Sequence, residues 1–164
     1  MVSFMTLLAL SASALASPVL QTRQMEIPEN WTWHVSGWSA GCARGGCYYN
    51  FNVSVPTVEG QILGAKAYCS GDENGYYRED FSNYFENCRI LEGVNNGISA
   101  KFSSRENSTS GSPEDIVLSF ELAAYEPTGR PAYNFTGSHK AIYNQFIAPE
   151  QEFDVTPTEV STIA

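Results

Sequence analysis

The chain holds little with which to do chemistry. Its 164 residues include only two histidines, His34 and His139, and neither stands in a His-Glu-x-x-His zinc motif; a phosphate-binding loop is missing as well. No Gly-x-Ser-x-Gly nucleophile elbow is expected either, and no segment carries a long helical stripe. The four cysteines, Cys42, Cys47, Cys69 and Cys88, lack zinc-knuckle spacing. Copper monooxygenases need a mature N-terminal histidine, and cleavage after Ala16 or Arg23 exposes Ser17 or Gln24 instead. No cofactor and no metal are expected. Basic residues are scarce: 9 Lys and Arg against 18 Asp and Glu give a formal charge of -9. That balance disfavours nucleic acid and anionic membranes as partners, since both need a basic face. Long apolar runs are missing too. Phe4-Met5-Thr6-Leu7-Leu8-Ala9-Leu10 falls far short of the ~18 apolar residues of a membrane span.

That short run has the length of a secretory signal, and Ala14-Leu15-Ala16 supplies the small residues of a cleavage site. Residues 1–16 are therefore predicted to be a signal peptide, and the chain to be secreted and extracellular. Export places the thiols in an oxidising compartment, where an even number pairs, although four cysteines allow three connectivities. The favoured pairing joins Cys42 to Cys47 across Ala43-Arg44-Gly45-Gly46, whose glycines suit a tight loop. It joins Cys69 to Cys88 around a loop that stabilises the fold by roughly 3 kcal/mol in the chain-entropy model.

Where the sequence is rich is in alternation. With 43% of residues apolar and 13% aromatic, a single domain can bury a core. Tyr49, Phe51, Val53 and Val55 alternate with Asn50, Asn52 and Ser54, and Ile116, Leu118, Phe120 and Leu122 repeat the pattern, as strands with one buried face do. Trp31, Trp33 and Val35, then Leu63 to Cys69, then Ile98, Ala100 and Phe102 add three more. Asn96-Gly97 between Leu91 and Ile98 predicts a hairpin whose flanking strands pair directly. The best helical candidate is Tyr77 to Asn87. Many short strands between turn-rich loops predict an all-β, single-domain small β-barrel or β-sandwich of mostly antiparallel strands, stapled by disulfides. The domain is expected over 30–153, after a flexible N-terminal or pro-segment at 17–29 and before a disordered tail at 154–164.

Four glycosylation sequons begin at Asn30, Asn52, Asn107 and Asn134. Asn52 and Asn134 fall on the wet parity of predicted strands, and Asn107 lies in a serine-rich loop. Aromatic side chains also fall at outward or loop positions: Trp38 off the Trp31 and Trp33 parity, Tyr48 beside Tyr49, and Tyr68, Tyr76, Tyr77 and Tyr84 around the Cys69 to Cys88 loop. Trp and Tyr dominate recognition hot spots, so Trp38, Tyr48, Tyr68, Tyr76 and Tyr77 form the candidate recognition patch. No catalytic residue is assigned. A small hydrolase is the enzymatic alternative: a ribonuclease from His34, His139, Glu79 and Arg78, or a glycosidase from doublets such as Asp72-Glu73 and Glu79-Asp80.

The stretch Trp33-His34-Val35-Ser36-Gly37-Trp38-Ser39-Ala40-Gly41-Cys42, followed by Cys47-Tyr48-Tyr49-Asn50-Phe51-Asn52-Val53, resembles the opening of small secreted fungal proteins. These are related to the major allergen of Alternaria and include effectors named for inducing a hypersensitive response. The resemblance extends loosely over Trp31 to Phe153. It implies a compact β-barrel or sandwich without catalytic residues, acting as virulence effector, defence elicitor or allergen. It further implies an extracellular host partner of the thaumatin-like defence class. A cell-wall or glycan-binding structural role is the alternative. The allergen has an extra cysteine used in an intermolecular bridge; the even count here leaves no thiol over, so any homodimer is expected to be non-covalent.

Overall fold

A computed structural model describes residues 25–43, 46–73, 84–103, 113–144 and 151–163. The predicted signal peptide, the 17–24 part of the N-terminal segment, Tyr76, Tyr77, Arg78, Glu79 and Asn107 lie outside these residues. The described chain is all-β: two antiparallel five-stranded sheets stacked as a sandwich. The first contains, in spatial order, β5 (Arg89–Glu92), β3 (Ala65–Asp72), β2 (Gly46–Val55), β1 (Trp33–Ala43) and β9 (Glu152–Val155). The second contains β10 (Pro157–Ile163), β8 (Ala132–Lys140), β7 (Asp115–Leu122), β6 (Gly97–Phe102) and β4 (Glu86–Asn87). A short 3-10 turn, Glu126–Thr128, lies between β7 and β8.

Alternation gives these strands their faces. In β2 Tyr49, Phe51, Val53 and Val55 point inward, and in β7 Ile116, Leu118, Phe120 and Leu122 do. Aromatic rings fill the space between the sheets in two clusters. Trp31, Trp33, Phe120 and Phe135 meet near one end; Trp38, Tyr49, Phe51, Phe102, Tyr143 and Phe153 meet near the other. Edge-to-face pairs such as Trp31–Phe135, with centroids 5.1 Å apart, add to the area buried. Most polar handles find carbonyls: the indole of Trp31 donates to Pro56 O, that of Trp38 to Ile142 O, and the Tyr49 and Tyr143 hydroxyls to Ala100 O and Asp115 O. The Trp33 indole nitrogen is buried without a partner among the described residues.

Both edges of the sandwich are bridged by a strand that changes sheet. Glu86 and Asn87 pair with β6 and Cys88 N donates to Ile98 O, yet the next residues, β5, pair with β3. On the opposite edge β9 pairs with β1, the chain turns at Thr156, and β10 pairs with β8. Gly137 makes that second crossing possible: a Cβ there would come within 2.7 Å of Thr156 O.

These crossings correct four expectations. Residues 154–163 form strands where a disordered tail was expected; Phe153 and Val155 alternate inward, and the β-branched run from Thr156 suits an edge strand that tolerates Pro157 at its start. At the other terminus Met25 and Ile27 pack on the core, so the domain begins before residue 30. The Asn96-Gly97 hairpin is not formed: the flanking strands belong to different sheets. Asn95 has a φ of +64° but Gly97 is not left-handed, so the primed turn is missing. Instead the buried Asn96 side chain donates to Leu63 O and accepts from Ala123 N, pinning a connection between the sheets. Finally, Glu86 and Asn87, the end of the helical candidate, are strand; its residues 77–83 lie outside the described residues.

The disulfides pair as favoured, Cys42 with Cys47 and Cys69 with Cys88, and no cysteine is free. The first joins directly opposed residues of the β1–β2 hairpin. The second ties the buried centre of β3 to the point where the chain leaves one sheet for the other.

Candidate functional site

Trp38 is not part of a surface. It is 3% exposed, stacked against Tyr49 and in edge contact with Tyr143 and Phe153. The reason is a bulge: the β1–β2 register shifts between Ser36 and Ser39, and Gly37 takes a φ of +64°. An extra residue in one strand flips the parity of everything after it. Trp33 and Val35 therefore face inward before the bulge, and Trp38 and Ala40 after it. Gly37 within the alternating pattern was the available signal, since an isolated glycine in a strand marks a bulge.

Tyr48 and Tyr68 do share a surface. Both are half-buried on the outer face of the first sheet and line one open groove of about 430 Å³ with Asn50, Ser70, Asp72 and Glu86. In the β2–β3 ladder Tyr48 lies opposite Asp72 and Tyr68 opposite Asn52. The two rings are thus anchored about four residues apart along the strands, roughly 13 Å at a strand's rise. Beyond Tyr68, the guanidinium carbon of Arg89 lies 5.7 Å from its ring, a cation–π distance. Lys66 and Glu92 form an exposed ion pair at 2.9 Å farther along the same strands. Tyr84 is exposed; Tyr76 and Tyr77 lie outside the described residues.

The sequons fall on three kinds of site. Asn52 is exposed on this same face, directly across from Tyr68. Asn30 is exposed in a turn at a φ of +56°. Asn134 is half-buried, and its Oδ1 accepts a hydrogen bond from the Ser119 hydroxyl.

The hydrolase alternatives find no assembled site among the described residues. Gly37-Trp38-Ser39-Ala40-Gly41 spells the Gly-x-Ser-x-Gly pattern of nucleophile elbows, but it lies inside β1, without the strand-to-helix turn that presents the serine. His34, on the outer face, holds Asp154 Oδ1 at 3.0 Å through Nδ1, yet it is five residues from Ser39, roughly 15 Å along the strand. His139 stands on another sheet and stacks on Phe153 at 4.0 Å. Of the acidic doublet, Asp72 points outward, while a Glu73 carboxylate oxygen accepts from Cys47 N at 2.8 Å and so closes the end of β2. No cluster of three metal-ligating side chains occurs among the described residues, and no described helix is long and apolar enough to cross a membrane.

A second concavity, unmarked by any motif, opens at one end of the sandwich. It measures about 610 Å³ and is walled by three connections, 57–63 between β2 and β3, 94–96 between β5 and β6, and 122–130 between β7 and β8, with Met25 of the N-terminal segment completing the lining. Arg130 holds these walls together, donating to Gln61 O at 2.8 Å and to Ala123 O at 3.0 Å. In the sequence, Pro127-Thr128-Gly129-Arg130-Pro131 carries only the marks of a turn, because Gln61, which Arg130 meets, is far away along the chain. Comparison of the chain with protein-family models, with curated proteins and with solved structures finds no match.

Proposed function

We propose that this chain is a secreted, non-catalytic binding protein of the effector or elicitor kind, related to the small fungal proteins whose opening residues it resembles. It recognises an extracellular host protein of the defence class through the outer face of its first sheet. The observation that carries the reading is the groove that brings Tyr48 and Tyr68 together beside Arg89. Tyr and Arg are the side chains most enriched among binding hot spots, and they need neighbours that exclude water around them. Two half-buried rings flanking a polar strip offer a partner fixed contact points with little side-chain entropy left to lose. The acidic chain attracts a basic partner over long range and so speeds encounter.

The test is titration of the oxidised protein with a purified thaumatin-like defence protein. Replacing Tyr48 and Tyr68 together by Ala is expected to weaken binding at least tenfold with the folded circular-dichroism spectrum intact. Equal binding by the double variant would remove this face from recognition. Asn50, Ser70 and Asp72 between the two rings also suit a sugar chain, which supports cell-wall glycan binding as the second reading. Retention of the protein on insoluble chitin or glucan, lost in the same variant, would favour it. A glycan on Asn52 would stand over Tyr68, so the secreted protein with Asn52→Gln is expected to bind its partner at least as tightly as the parent.

A further inference from the structure

The concavity at the end of the sandwich combines three properties that together specify a ligand. Its lining is apolar and open to solvent: Leu63 is 54% exposed, Val94 67% and Tyr125 51%, and exposed apolar patches of this kind mark sites of interaction. Its shape is fixed in advance, because Asn96 and Arg130 cross-link all three walls through hydrogen bonds to Leu63, Ala123 and Gln61. Among the described lining residues Arg130 alone carries a charge. No carboxylate pairs with that charge among the described residues, and its Nε is buried without a hydrogen-bond acceptor. Its guanidinium lies 5.9 Å from the Tyr125 ring.

A cation held in an apolar groove without a counter-ion is electrostatically unfinished. In a chain of net charge -9, carboxylates are plentiful, and Glu59 and Glu126 even lie on the walling connections, yet neither lines the groove or pairs with Arg130 among the described residues. We propose that the groove binds a small monocarboxylate with an apolar tail, its carboxylate on Arg130 and its tail along Leu63, Val94 and Tyr125. Two of the five guanidinium N–H groups are occupied by backbone carbonyls and that on Nε is buried, which leaves one on each terminal nitrogen, a pair that matches the two oxygens of a carboxylate. A phosphate dianion would bring a second negative charge that no other lining side chain balances. The volume of about 610 Å³ falls within the roughly 300–1,000 Å³ of small-molecule sites, whose walls are mostly apolar with a few fixed polar groups. This groove is separate from the Tyr48–Tyr68 face and does not depend on it.

The experiment titrates the full protein with decanoate, below its micelle-forming concentration, against decanol and decyltrimethylammonium, by calorimetry and amide NMR. Decanoate is expected to saturate at one per chain, with shifts confined to Met25 and residues 57–63, 94–96 and 122–130. Decanol is expected to bind at least tenfold more weakly, and the cation not at all. Arg130→Gln should lose at least tenfold in decanoate affinity. Because Arg130 also braces the walls, Val94→Asp supplies a second variant: Val94 is exposed, and a like charge there should abolish decanoate binding at unchanged melting temperature. The proposal is overturned if decanol binds as tightly as decanoate, if Val94→Asp binds decanoate normally, if the shifts fall elsewhere, or if nothing saturates.

Discussion

At Gly37 the backbone takes a φ of +64°, and among the described residues a Cβ built there would meet nothing closer than the Asn52 amide nitrogen at 3.7 Å. Space is available, so the cost of a side chain is conformational alone, and left-handed backbone costs an ordinary residue about 1–2 kcal/mol. Gly37→Ala is expected to destabilise the protein by about 1 kcal/mol in urea unfolding while leaving Trp38 buried, as read by its fluorescence. A larger loss with an exposed tryptophan would mean that the bulge itself had been removed. This one backbone angle explains why Tyr48 and Trp38 have opposite fates. Tyr48 follows the uninterrupted alternation of β2, and its outward position can be read directly from Tyr49, Phe51 and Val53. Counting by twos from Trp33 puts Trp38 outside, and only the shift between Ser36 and Ser39 brings it in.

Among the elements, β2, β3, β6 and β7 were legible because each carries its own period-two record of which face is wet. The sheet-changing strands were not, since their partners are set by the closing of the sandwich's edges and leave no local trace. Cys88 sits at one such crossing, and its bond to Cys69 holds the chain to β3 where its backbone ladder changes sheet. Replacing Cys69 and Cys88 together by Ala is expected to cost roughly 3 kcal/mol on the loop-entropy argument. Removing the Cys42–Cys47 pair, which closes a much shorter loop within one hairpin, should cost about 1 kcal/mol less. Chemical unfolding of the two double variants side by side measures the difference. The Arg130 groove belongs to the same class of hidden features, since three connections far apart in sequence build it.

For the molecule as a whole, alkali is the expected point of weakness. Burial pushes the Tyr49 and Tyr143 phenols well above the ordinary tyrosine range; the charge of Glu86 adds to the effect at Tyr49, and Tyr49, Asp115 and Glu73 add to it at Tyr143. In the unfolded chain both titrate near about 10. Their contribution to stability is therefore complete below that pH and is lost as pH rises toward the folded values, because the unfolded state releases protons that the folded state keeps. Circular dichroism followed through the alkaline range should show one cooperative loss of structure. Tyr49→Phe should move that loss to higher pH while costing about 1 kcal/mol at neutral pH, since its hydrogen bond to Ala100 O is given up. The topology carries one more consequence. β1, β2 and the first half of β3 precede the segment enclosed by Cys69 and Cys88, β4 lies at the end of that segment, and the chain after it supplies both outer strands of the first sheet, β5 and β9, and the rest of the second sheet. A protease that cuts between Ser70 and Asn87 therefore severs the polypeptide without releasing a fragment: the halves remain interleaved and covalently joined, migrating as one species until a reductant separates them.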